Sequence, residues 1–148
     1  TLNSAFSPAA NVVEQYCNAR FNYCISFPIS TFKNPETSAN GDGFQANSTD
    51  GEIFMSVAGS FNVMDWSLED IYYFNFEEFK ERDEAVENVE SVFEADYSIN
   101  VFTTATEYIF YKTMLMDDKY VTITISAPLD QRERVEALRN EINLVIKV

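Results

Sequence analysis

The chain predicts an α+β domain: an antiparallel β-sheet with helices on both faces. Three observations lead there. Strand-like runs recur along much of the chain, over 21–27, 43–49, 52–60, 91–98, 99–105, 108–116 and 119–127, and alternate with period two most cleanly in 21–27 and 119–127. Two other stretches, 67–80 and 130–147, carry the helical period instead. Finally, the run from Tyr108 to Met116 is apolar on both faces, which suits a central strand covered on both sides.

Residues 1–19 read as an N-terminal tail with a short helix over 9–17, where Val12, Val13 and Tyr16 share one face. Residues 20–148 read as one domain. Phe21, Tyr23, Ile25 and Phe27 alternate with polar or small neighbours until Pro28 removes a ladder donor. Residues 28–42, with Pro28, Pro35 and many Ser, Thr and Asn, read as loop. Asp50-Gly51 between two extended runs is a strong hairpin signal, because both turn positions want positive φ. Ser67 with Asp70 three residues on resembles a capping box, and Glu69 and Asp70 suit the positive end of a helix. Leu68, Ile71, Tyr72, Phe76 and Phe79 fall on one face of that helix. The charged segment 80–89 reads as helix end and loop. In the last strand Val121, Ile123 and Ile125 point one way, and Tyr120, Thr122, Thr124 and Ser126 the other. Pro128 stops it. Val135, Leu138, Ile142, Val145 and Ile146 make the stripe of the closing helix.

Composition excludes several functions. The chain has 148 residues, a net charge of −14 and no His, so His-based triads, His metal sites and imidazole switches are ruled out. The charge repels phosphate, so no nucleic-acid partner is expected. No run approaches the ~20 apolar residues of a membrane span. Cys17 and Cys24 lie seven apart. Bridged, they would close a loop worth about 2.5 kcal/mol and imply an oxidising compartment; unbridged, they are two buried thiols.

Three candidate sites compete with plainer readings. Asn40-Gly41-Asp42-Gly43 with Asp50 offers oxygen ligands for Ca²⁺, but lacks EF-hand spacing, and turn chemistry alone explains these residue types. No metal and no cofactor are therefore expected. Among 24 acids some carboxylates will lie at catalytic separation by chance, and Glu77, Glu78 and Glu81 read as a solvated helix face. The helix over 67–80 holds more aromatics than one face accepts. With Leu68 at the centre of the stripe, Tyr73 and Phe74 fall on its flanks or outside. With Trp66 they form a candidate interaction patch, unless a neighbouring loop buries them.

Several short segments taken together carry a resemblance. These are Tyr23-Cys24-Ile25-Ser26-Phe27-Pro28, Asn40-Gly41-Asp42-Gly43-Phe44, Asp50-Gly51 ahead of a strand, Ile109-Phe110-Tyr111-Lys112-Thr113 and the closing helix. They resemble small exported bacterial proteins of uncharacterised function, over roughly residues 17–148. Such proteins are similar to the PsbP-like fold, a three-layer α/β/α sandwich shared by an extrinsic photosystem subunit and a nuclear-transport factor that binds the GTPase Ran. The resemblance implies a binding module more often than an enzyme. The sequence thus predicts a non-catalytic, extracytoplasmic (periplasmic, cell-surface or secreted) binding or structural module that admits a protein partner. The competing readings are a carboxylate-dependent hydrolase of an envelope polysaccharide and a small-ligand carrier.

Overall fold

The computed structural model describes residues 4–8, 13–82 and 85–146. In chain order the elements are β1 (Ser4–Pro8), β2 (Val13–Asn18), β3 (Tyr23–Pro28), β4 (Phe32–Thr37), β5 (Gly43–Ser48), β6 (Phe54–Phe61), α1 (Leu68–Arg82), β7 (Glu87–Phe93), β8 (Tyr97–Thr103), β9 (Glu107–Leu115), β10 (Lys119–Pro128), a 3₁₀ turn (Leu129–Gln131), α2 (Arg132–Leu138) and β11 (Asn143–Ile146). They build two antiparallel sheets. The smaller has the order β1-β2-β3-β11, the larger β4-β5-β6-β10-β9-β8-β7.

The expected three-layer α/β/α sandwich is not what forms. The molecule is mostly β, with two sheets and two short helices. Three segments account for the difference. Residues 13–17, expected to be helical, lie in β2, where Tyr16 and Asn18 alternate inward and the strand pairs with β3; residues 9–12 of that expected helix lie outside the described residues. The proline-bearing stretch expected as loop contains β4. It is an edge strand, and a register shift between Lys33 and Glu36 accommodates Pro35, with Asn34 at φ 53°. The closing helix stops at Leu138. Its last stretch becomes β11, in which Leu144 is buried and Val145 exposed. Ile142, Leu144 and Ile146 satisfy period two as well as Val135, Leu138 and Ile142 satisfy period 3.6, and β-branched residues favour the strand.

The core lies between the sheets. Tyr16, Tyr23, Ile25 and Phe27 of the smaller sheet meet Phe44, Met55, Val57, Phe110, Ile123 and Ile125 of the larger, with Val135 and Leu138 of α2 closing one side. Tyr16 and Phe44 rings sit 4.7 Å apart, Phe27 and Phe44 5.3 Å. Close approach at one corner depends on Gly59: a Cβ there would lie 2.3 Å from the ring of Phe21. α2 is tied across the sheet by Arg139, which donates two hydrogen bonds to the Glu90 carboxylate at 3.1 and 2.9 Å and lies over Phe110. α1 lies on the opposite, outer face. Tyr72, Phe76 and Phe79 contact Phe102 of β8, and Phe79 also contacts Tyr111 of β9. Both edge strands of the larger sheet, β4 and β7, carry register shifts, a common guard against edge-to-edge pairing.

Candidate functional site

The β6–α1 corner presents apolar side chains to solvent on a fixed backbone. Asn62 organises it. Its backbone N–H donates to the carbonyl of Asp118 at 2.8 Å, and its own carbonyl accepts from the N–H of Asp65 at 3.1 Å. Its side chain holds both polar groups of Trp66: Nδ2 donates to the Trp66 carbonyl and Oδ1 accepts from the Trp66 N–H, each at 2.9 Å. Asp65 completes the turn in the left-handed region at φ 53°. The capping box then starts α1: Asp70 N–H donates to Ser67 Oγ at 3.2 Å, and Ser67 N–H donates to Asp70 Oδ2 at 3.0 Å.

Val63 and Met64 ride at the tip of this clamped turn, 86 % and 68 % exposed. Trp66 is half-buried, its ring 5.1 Å from that of Phe74. Tyr73 is 61 % exposed, on the side of α1 away from the buried Leu68 and Ile71, and Phe74, 48 % exposed, lies on the flank beside Ile71. The structure therefore gathers Trp66 and Phe74 into one patch, with Tyr73 beside it on the same helix. Val63 and Met64 join them unforeseen by the sequence reading. Their signal was two adjacent apolar residues just ahead of a helix N-cap, where a turn wants polar ones. Exposed acids surround the corner: Asp65, Glu69 and Asp70 on the turn and first helical turn, Asp117 and Asp118 on the adjoining β9–β10 turn.

The other candidates resolve differently. Cys17 and Cys24 face each other across β2 and β3 and are joined by a disulfide. The Asn40–Gly43 loop is spoken for by the fold. The Asn40 carbonyl accepts from Arg20, that of Gly41 from Asn18 at 3.0 Å, and that of Asp42 from the Tyr23 hydroxyl at 2.9 Å and the Gly59 N–H at 2.9 Å. Burial pushes the Tyr23 phenol far above its ordinary range, so it stays a donor. Asp50 is not brought to this loop, since the whole of β5 separates them. Instead it accepts from the Ser48 hydroxyl, the Glu52 N–H and Arg134, at 2.6, 3.1 and 2.7 Å, and these bonds, the Ser48 one foremost, hold its carboxyl down at about 2. Glu90 is likewise lowered, by its bonds to Arg139. A general acid needs the opposite shift. Among the described residues no group of three or more His, Cys, Asp or Glu is placed to hold a metal, and no helix is long and apolar enough to cross a membrane.

No family model matches the chain, and no curated protein matches it. A solved structure does: cyanobacterial PsbP (CyanoP) from Synechocystis superposes with a TM-score of 0.68 at 12 % identity, over 94 % of this chain and 97 % of that one. At that identity the likeness shows the PsbP-like fold.

Proposed function

We propose that the protein is a non-catalytic binding module of an oxidising, extracytoplasmic compartment, and that the β6–α1 corner docks a protein partner with an apolar pocket rimmed by basic residues. The observation that carries this reading is the exposure of Val63 and Met64 on a turn whose every strut is a hydrogen bond. A preorganised apolar tip loses little freedom on binding, which is where association is otherwise costly. Trp66 and Phe74 supply the aromatic anchors typical of binding hot spots. The acids around the tip, in a chain of net charge −14, select a basic rim on the partner. The disulfide supports the compartment.

The test is quantitative affinity capture from the envelope and secreted fractions with the parent, Val63→Ser/Met64→Ser, Tyr73→Ala/Phe74→Ala, and Glu141→Ala as a distant control. The same proteins should be lost from both patch variants, kept by the control, and released by raised salt. Captures that do not differ between the parent and the patch variants would overturn the proposal.

A further inference from the structure

On the outer face of the larger sheet, far from the docking corner, lies a second surface of different chemistry. The ring contacts of α1 fall on β7, β8 and β9. On β5, β6 and β10 the outward positions include Gln45, Asn47, Phe54, Ser56, Thr124 and Ser126, and none of the outward positions on these three strands is charged. A face meant only for solvation in so acidic a chain would carry charges. At the β4–β5 end the face deepens into a cleft of about 440 Å³, lined in part by Asn34, Glu36, Gln45 and Asn47. Among the described residues the carboxamides of Asn34, Gln45 and Asn47 make no hydrogen bond within the protein, so each has donors and acceptors to offer. A second concavity of about 470 Å³ lies on the other side of Phe54, which pairs directly with Asn47 across the strands.

We infer that this face binds an extended, uncharged polysaccharide chain lying across the strands. Carboxamides and hydroxyls both donate and accept, as the hydroxyls of a sugar require, and the half-buried ring of Phe54 offers an apolar platform for the C–H face of a pyranose. Register sets the direction. Glu36, Gln45, Ser56 and Thr124 form one row and Lys33, Asn47, Phe54 and Ser126 the next. A chain running along a row meets a new side chain about every 4.8 Å, close to the length of one sugar residue. The net charge of −14, with Glu36 in the first cleft and Glu52 and Glu107 in the second, outweighs Lys33 at the β4 end of its row and repels acidic glycans, leaving neutral ones.

Affinity electrophoresis against laminarin, dextran, xylan and galactomannan, with alginate as the acidic comparator, tests the inference. At least one neutral polymer should retard the protein. Gln45→Ala and Asn47→Ala should each weaken that retardation tenfold or more, as should Phe54→Ala, while Tyr73→Ala/Phe74→Ala leaves it unchanged. The last variant separates this site from the docking corner, so either reading can fail alone. No retardation by any neutral polymer, retardation indifferent to Gln45 and Asn47, equal retardation by alginate, or dimerisation through this face in light scattering would each overturn it.

Discussion

Replacing Gly59 by Ala adds one methyl group where β6 packs against Phe21 of the β2–β3 turn. The added Cβ would sit 2.3 Å from Cγ and 2.6 Å from Cδ2 of Phe21, whose ring is 2 % exposed and packs against Phe61 at 4.9 Å. Gly59 has no positive φ to preserve, and it pairs inside β6 with Val121, so alanine at an unhindered site there would gain about 0.5–1 kcal/mol of stability from backbone entropy. Sterics reverse that sign. Overpacking of a filled interior costs about 1–3 kcal/mol, which lowers the melting temperature by roughly 2–12 °C for a chain of this length. Phe21→Ala alone removes a buried ring, at about 3–5 kcal/mol. The double variant gives the new methyl the space the ring vacated. The two losses should therefore fall short of additivity by about 1–2 kcal/mol, as for side chains sharing one cavity. Urea unfolding with an unchanged slope measures all three variants. A Gly59→Ala protein more stable than the parent, or strictly additive losses, would refute the close contact of β6 with Phe21.

Two further outcomes follow from the bonds described above. Cys17→Ser/Cys24→Ser should lose about 2.5 kcal/mol, the chain-entropy value for so short a loop, and melt roughly 5–10 °C lower while keeping its far-ultraviolet spectrum; equal melting of reduced and oxidised parent would refute this. Asp50 titrates lower in the folded state than its ordinary 3.8, so its stabilising contribution is whole above that value and fades as pH falls toward about 2. Asp50→Asn should flatten the loss of stability between pH 4 and pH 2 and leave a shallower salt dependence, read by denaturant titration at stepped pH.

What the sequence displayed was local. The Asp50-Gly51 turn joins β5 to β6, though only Gly51, at φ 76°, takes the positive φ expected of both residues, and its N–H closes the turn on the Ser48 carbonyl. The reciprocal Ser67–Asp70 bonds open α1, and the alternation of Val121, Ile123 and Ile125 places all three in the core. Each of these depends on neighbours within a few residues. What the sequence hid depends on partners far away. β11 is a strand because β3, more than a hundred residues earlier, offers its edge to Val145 opposite Cys24. β4 survives Pro35 because its other edge needs no partner. The strands expected over 91–98 and 99–105 lie at Glu87–Phe93 and Tyr97–Thr103, shifted by about four and about two residues, since the turn at Glu94–Asp96 carries neither Gly nor Pro to mark it. The candidate sites divide the same way. Tyr73 and Phe74 stand off the Leu68 stripe by helical geometry alone, whereas the amide cleft exists only once the bulged β4 is laid beside β5.

The same inequality of scale explains why this fold has surface to spare. Seven strands span about 29 Å and four about 14 Å at the usual strand spacing, so the smaller sheet covers only half of the larger one's inner face. Short α2 must close the remainder, and the paired hydrogen bonds from Arg139 to Glu90 hold it there. On the outer face α1 is about 10 Å wide and can shield roughly two strands. Its aromatic residues sit over β8 and β9, where Phe102 and Tyr111 make the face apolar, and reach Phe93 of edge strand β7. That leaves the β4–β5–β6–β10 half uncovered, and burial there would strand unpaired carboxamides and hydroxyls at about 1–3 kcal/mol each. A wet, uncharged ligand that answers those groups one by one is the kind of occupant such a surface can accept, whereas the dry tip of Val63 and Met64 calls for another protein's pocket.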